Sequence, residues 1–436
     1  MDKRKLAELL VEHKGKALAD SDFTPRELLT RAGEMAHQKE INVITGVRRS
    51  GKSTLMRMVA RYLIQQENVP SENILYLNFE DDRFAEFKTP DFQTLYEAYL
   101  EVESPSGRKY FFLDEIQNLP GWHRWLNRLY EFEDVKLFVT GSNSSMMKGE
   151  AAMSLTGRNR VVTLYPFSFR EYAAACDVTW TERDLLTGEG KAKLARLFGR
   201  YMQEGGFPEA LRQQDSDILR HYFGDIVYRD IVARYGLRNV REIRELALYL
   251  ASNLSCLASY KKLKDTITVN SLTTVKNYLG YFEDVYLFFP VNLFDYSMKR
   301  QMYNPAKLYC VDHALAAAMA FKFSADSGRI LENIVFCELK RRGCDVYYWK
   351  DKNGKEVDFL IRQGQEITAA LQVCQNIGNP ETRKREISGA LAAAAAFGLS
   401  EVQILTADYE SEEILQNVRI LYKPVWRWLV EEPAKR

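Results

Sequence analysis

Gly46-Val47-Arg48-Arg49-Ser50-Gly51-Lys52-Ser53-Thr54 decides the fold, because it fits G-x-x-x-x-G-K-[ST], the pattern of a loop that wraps a polyphosphate. The glycines let backbone N–H groups turn inward, so Gly46, Arg48, Arg49, Ser50, Gly51, Lys52, Ser53 and Thr54 are the expected phosphate contacts. Lys52 is long enough to reach the β and γ phosphates, and the Ser53 hydroxyl suits a Mg2+ ligand. Upstream, the apolar run at residues 41–45 reads as a short buried strand. Downstream, Leu55, Met56, Met58, Val59, Tyr62 and Leu63 recur at helical spacing. The loop is therefore expected between a strand and a helix N-terminus, whose dipole favours an anion such as ATP.

Working outward, short apolar runs at 74–79, 110–113, 137–140 and 161–164 alternate with helical segments, which predicts a parallel sheet covered on both faces. The run Lys109-Tyr110-Phe111-Phe112-Leu113 ends in Asp114 and Glu115. Asp114 is placed to hold Mg2+ and Glu115 to polarise an attacking water, which separates a hydrolase from a simple nucleotide binder. The next strand runs into Gly141-Ser142-Asn143-Ser144, where Ser142 or Asn143 offers a small polar group to sense the γ-phosphate. Arg158, in Leu155-Thr156-Gly157-Arg158, is the candidate arginine finger, for a phosphate in the same or a neighbouring subunit.

A chain of 436 residues is too long for one ordinary core, and 46% hydrophobic with 12% aromatic residues excludes disorder over most of it. A formal net charge of +1 supplies no global attraction to nucleic acid or to an anionic membrane, so any such contact must be a local patch. The six cysteines form no C-x-x-C pair, which points away from a zinc knuckle or disulfide framework and toward reduced thiols in a cytoplasm. The N-terminus lacks the apolar segment of a secretory signal, and the most apolar interior stretch, 285–291, is too short to span a membrane and contains a proline.

Together these residues resemble the prokaryotic AAA-type ATPases that join an N-terminal P-loop domain to a C-terminal domain of unknown function. Besides the loop and Leu113-Asp114-Glu115, the likeness is carried by Thr140-Gly141-Ser142, Leu155-Thr156-Gly157-Arg158, Tyr165-Pro166-Phe167-Ser168-Phe169-Arg170-Glu171-Tyr172, Gly205-Gly206-Phe207-Pro208-Glu209-Ala210 and Glu356-Val357-Asp358-Phe359. The resemblance implies an α/β protein: a P-loop AAA-type parallel sheet with a helical lid, a winged-helix segment and a restriction-endonuclease-like α/β domain. The corresponding segments are 1–40 (helical), 41–165 (ATPase core), 166–215 (lid), 216–300 (winged helix) and 301–436 (nuclease-like). It implies that the strand ending at Thr140 lies between the loop strand and the Asp114 strand, and that 271–279 looks like a recognition helix. Lys261, Lys262, Lys264 and Lys276 would give that helix a basic surround for DNA.

The nuclease-like pattern is damaged. Glu332 and Asp358 match it, but the expected Glu-x-Lys reads Gln372-Val373-Cys374; an amide is a poor Mg2+ ligand and a thiol supplies no cation. The expectation is therefore a Mg2+-dependent ATPase that switches C-terminal binding domains on a partner, with DNA, a protein or further copies of the chain left open as that partner. A non-catalytic nucleotide-binding scaffold and an ATP-gated nuclease are the alternatives.

Overall fold

The chain separates into two units, Met1–Tyr165 and Pro166–Arg436, in a computed structural model that describes residues 1–141, 143–147, 149–269, 271–320 and 327–431. In the first unit, helices α1 (Lys3–Leu18) and α2 (Ala32–His37) precede β1 (Ile41–Thr45), α3 (Lys52–Gln65), β2 (Ile74–Asn78) and α4 (Asp91–Glu103). Then follow β3 (Lys109–Asp114), α5 (Trp122–Phe132), β4 (Val135–Gly141), α6 (Gly149–Leu155) and β5 (Asn159–Thr163). The five strands form one parallel sheet in the order β2-β3-β4-β1-β5, so β4 lies between the loop strand and the Asp114 strand.

Alternation along the strands feeds two cores. Leu75, Leu77, Phe111, Leu113, Leu137 and Val139 pack with Leu6, Leu9, Tyr99 and Trp125 on one face. Ile44, Ile74, Tyr76, Phe112 and Phe138 pack with Met35, Leu55, Met56 and Val59 on the other. Truncating a ring such as Phe111 or Phe138 to alanine would cost about 3–5 kcal/mol in such a position. β4 begins two residues earlier than its apolar run suggested because Lys136 is buried in it, donating to the carbonyl of Gln38 at 2.8 Å and to that of Glu40. Polar residues thus fasten the N-terminal segment to the sheet; Asn42 does the same, donating to the Met35 carbonyl at 2.8 Å.

The second unit opens with helices α7 (Phe169–Ala175), α8 (Gly188–Glu204), α9 (Pro208–Gln213), α10 (Ile218–Asp225) and α11 (Val240–Ser252). Next come β6 (Leu257–Ala258), α12 (Tyr260–Thr266), α13 (Leu272–Asp284), β7 (Phe288–Val291), α14 (Met298–Tyr303) and β8 (Ala306–Cys310). The three strands make an antiparallel sheet in the order β6-β8-β7. After α15 (His313–Met319) and α16 (Ser327–Arg341), a mixed sheet is built from β9 (Asp345–Lys350), β10 (Glu356–Gln363), β11 (Glu366–Cys374), β12 (Glu401–Thr406), β13 (Ser411–Leu415) and β14 (Val418–Pro424). Its order is β13-β14-β12-β11-β10-β9, with α17 (Pro380–Phe397) crossing between β11 and β12 and α18 (Val425–Val430) at the end.

Two of the expected segment limits differ from the grouping of the elements. Residues 166–215, read as a lid on the ATPase core, belong to the second unit. The Gly206 N–H donates to Asp312 at 2.8 Å, His313 Nε2 lies 2.8 Å from the Tyr201 carbonyl, and Arg170 donates to the Leu429 carbonyl at 2.9 Å. The expected boundary at 300 falls between β7 and β8, which pair with each other across a long connection. The hairpin β13–β14 was not anticipated. β13 reads Ser-Glu-Glu-Ile-Leu and is only partly buried, so no apolar alternation announces it.

Candidate functional site

The phosphate loop owes its shape to Gly46, whose φ is +142°. A Cβ there would lie 2.1 Å from the Leu164 carbonyl oxygen, so only glycine lets the loop pass beside the end of β5. Gly51, at φ +97°, then turns the chain into α3. Lys52 is the first residue of that helix and is buried; its Nζ donates to the carbonyls of Gly46 and Val47, both at 3.0 Å. Ser50 is fully buried, and its Oγ has no hydrogen-bond partner among the described residues. A concave loop that holds a lysine head and an unmatched hydroxyl fits a phosphate ligand.

Ser53 and Thr54 follow on the first turn of α3, both half-buried. Arg49 is exposed at φ +69°, and Arg48 approaches Glu80 at 3.6 Å.

At the carboxyl ends of β3 and β4 the acidic pair is held by Thr140. Its hydroxyl donates to Asp114 Oδ1 at 2.5 Å and accepts the Glu115 N–H at 2.9 Å. Tyr76 donates to Asp114 Oδ2 at 3.2 Å, so both oxygens of this fully buried carboxylate are oriented. Burial, with the Asp114 charge adding to it, pushes the Tyr76 hydroxyl well above its usual range and keeps it a donor. Glu115 leaves the strand in the left-handed region, φ 53°, and its carboxylate accepts from Gln117. Burial raises the Glu115 carboxyl above the usual glutamate range, Asp114 adds to the rise, and Lys52 opposes it.

The structure therefore brings Lys52, Asp114 and Glu115 to one edge of the sheet. Asn143 follows the end of β4 and is buried; Ser142 lies outside the described residues. Arg158 is not brought there. It precedes β5, and its carbonyl accepts from Ile41 N–H at the start of β1, which is the opposite edge of a parallel sheet. Its guanidinium pairs with Glu131 at 2.7 Å. Five strand residues separate the two edges, about 16 Å, so Arg158 has no reach to the phosphates of its own chain. The same-subunit alternative for the finger is removed.

Sequence reasoning missed Arg26. This buried residue donates to the Ser50 carbonyl at 2.8 Å and to the Tyr165 carbonyl at 2.7 Å, propping the loop from behind. Nothing in its surroundings in sequence announces that role, because the contact spans distant segments.

In the second unit, Glu332 lies on α16, Asp358 on β10, and Gln372 and Cys374 on β11. The structure brings Glu332 and Asp358 together, but around Lys307 of β8. Gln372 is tied up elsewhere, accepting the Asp358 N–H at 3.1 Å and donating to Glu386 at 2.5 Å. Cys374 is buried in an apolar cluster, where burial pushes its thiol up to about 11. Among the described residues no group of three or more His, Cys, Asp or Glu is arranged to hold a metal, and no helix is long and apolar enough to cross a membrane.

A parallel sheet with a phosphate loop after its fourth-ranked strand, β1, and an acidic pair after β3 defines an AAA-type nucleotide-binding domain. A family model described as an AAA domain matches residues 38–173, and two described as domains of unknown function, DUF8612 and DUF4143, match 195–326 and 327–377. An uncharacterised protein of Haemophilus influenzae is 35% identical over 338 residues, which is 75% of this chain and 80% of that protein. MJ1544 of Methanocaldococcus jannaschii, also described as uncharacterised, is 33% identical over 410 residues, 89% of this chain and 88% of that one. The chain belongs to the family of these proteins, with an AAA domain followed by domains of unknown function.

Among solved structures, AMPPCP-bound DnaA of Aquifex aeolicus overlaps with a TM-score of 0.26 at 17% identity, covering 59% of this chain and 86% of that chain. ORC1 of Aeropyrum pernix in complex with DNA overlaps with a TM-score of 0.25 at 17% identity, covering 73% and 90%. Nothing about ligands or partners follows from overlaps this loose.

Proposed function

We propose that the chain is a Mg2+-dependent ATPase whose second unit binds a partner, and that the partner is DNA. The observation that carries the hydrolytic half is Thr140 holding Asp114 and Glu115 at the same sheet edge as Lys52. Ser53 and Asp114 are the residues that would hold Mg2+; bound there, the ion supplies charge that offsets the phosphate oxygens. Lys52 exchanges its carbonyl partners for phosphate oxygens, and the loop N–H groups do the same. A water attacks the γ-phosphorus, its proton passes to the Glu115 carboxylate, and the bond to the bridging oxygen breaks to leave ADP and phosphate. A raised carboxyl suits Glu115 to that proton transfer. Asn143 contacts the γ-phosphate, and Arg158 acts only on a neighbouring copy.

The DNA half rests on reading α11 to β8 as a winged helix, a reading supported by the element order α11-β6-α12-α13-β7-α14-β8 and the sheet order β6-β8-β7. On α13, Leu272, Thr273, Lys276 and Asn277 are exposed, and Lys261 and Lys262 of α12 are exposed beside it. The mixed sheet with α16 and α17 is read as a nuclease-like scaffold without cleavage activity, because Gln372 and Cys374 stand where a ligand and a cation are needed. Phosphate release measured with and without duplex DNA over a salt series tests both halves. No release sinks the ATPase; release indifferent to DNA at every salt concentration sinks DNA as the partner.

A further inference from the structure

Lys307 is the central residue of the carboxylate cluster in the second unit. It lies on β8, the middle strand of the three-stranded sheet, opposite Val291 on one side and Leu257 on the other. Every residue of that strand is buried, so the lysine head is stabilised by finding charge beside it. It does so twice: Nζ is 2.7 Å from Asp358 Oδ1 and 3.0 Å from Glu332 Oε1. Each carboxylate accepts from one further donor. Tyr309 donates to the same Glu332 oxygen at 2.6 Å, and Val373 N–H donates to Asp358 Oδ2 at 2.9 Å. The cluster faces a cleft of about 630 Å3 also lined by Arg329, Lys355 and Arg385.

We propose that Glu332 and Asp358 form a divalent-cation site in which the Lys307 ammonium is the resident cation, so that metal is excluded while the lysine is in place. Two carboxylates converging on one point, each braced by a further donor, are what a hard cation takes as ligands. The ammonium occupies that point. A divalent ion entering beside it would meet a fixed positive charge at close range in a buried setting, where screening is weak. The third place that could favour a metal is occupied by Gln372, already bonded to the Asp358 N–H and to Glu386. This inference deepens the scaffold reading of the mixed sheet, since it gives a reason for inactivity beyond the two departures in β11. It stands whether or not the loop hydrolyses ATP.

The test uses the full chain without nucleotide and Tb3+ as the probe, because the Tyr309 phenol is close enough to Glu332 to sensitise a lanthanide bound there. Asp358→Asn separates this site from the one near Asp114, which also has a tyrosine beside it. Lys307→Ala and Lys307→Met are expected to bind Tb3+ at least about tenfold more tightly than the parent, with emission lost when Asp358→Asn is added. Lys307→Arg keeps the charge and is expected to stay dark. Asp358-dependent emission from the unaltered protein overturns the proposal, and this arm needs no variant of Lys307 to fold. Failure of both folded Lys307 variants to gain emission overturns it as well. Neither result bears on phosphate release, so this inference and the ATPase reading fail separately.

Discussion

Thr140 hydrogen-bonds to Asp114 with its hydroxyl as donor, at 2.5 Å, while the same oxygen accepts the N–H of Glu115 at 2.9 Å. One side chain on β4 thus sets the direction of both acidic residues at the end of β3. Thr140→Val keeps the shape and removes the hydroxyl, leaving the Glu115 N–H without its acceptor and Asp114 Oδ1 without its Thr140 donor, while Tyr76 still donates to Oδ2. Turnover is expected to fall about 10–100-fold with ATP affinity nearly unchanged, and Thr140→Ser is expected to restore most of it. Equal kcat in the valine variant and the parent would remove Thr140 from the site.

Lys52→Ala should abolish ATP binding, whereas Glu115→Gln should bind ATP and release no phosphate. Calorimetry with Mg-ATP reads the first difference and single-turnover phosphate release reads the second. Binding lost in both variants would indicate a damaged loop rather than separate roles.

Glu115 also makes a prediction for the nucleotide-free protein. Burial raises its folded-state pKa, so the carboxyl's contribution to stability is fully present below the ordinary glutamate pKa and is lost as pH rises through the raised value. Glu115→Gln removes the charge that costs stability at neutral pH. The variant should therefore melt higher than the parent at pH 7, and the gap should close on acidification below the ordinary glutamate range. A gap that widens on acidification would show that the charged form is the favoured one.

Much of this site was legible because its chemistry is local. Gly46 to Thr54 sit in one contiguous stretch, and Asp114-Glu115 end one apolar run, so spacing alone put them at strand ends. Arg26, Tyr76 and Thr140 act across the sheet, and no window of sequence contains both a donor and its acceptor. Arg158 is a like case: its type suits a phosphate, but only the pairing of β5 with β1 shows that its position before β5 lies at the edge opposite the loop of its own chain. In the second unit, Lys307 lies far in sequence from Glu332 and Asp358, so a cation supplied from a different sheet could not be inferred from Gln372-Val373-Cys374. Lys136 shows the limit in the core, where one buried lysine shortened the apparent strand.

Gly46→Ala should prevent the loop from forming. The added methyl would meet the Leu164 carbonyl at 2.1 Å, backbone that cannot swing aside, and φ +142° is closed to alanine. Loss of ATP binding together with a lowered melting temperature is the expected pair of results. A variant that binds ATP like the parent would mean that the loop passes Leu164 differently.

Arg26→Ala should loosen the loop without touching a phosphate. It removes charge-assisted hydrogen bonds to the Ser50 and Tyr165 carbonyls, and leaves both oxygens in a buried place. The cost is expected at about 2–3 kcal/mol, a fall in melting temperature on the order of 5–10 °C for a unit of this size. Because Ser50 belongs to the loop, KM for ATP should rise more than kcat falls. Arg26→Lys can satisfy one carbonyl and should recover part of the stability, since an ammonium lacks the fork that spans both. If the alanine variant loses stability but keeps its KM, Arg26 holds the end of β5 and the loop stands without it.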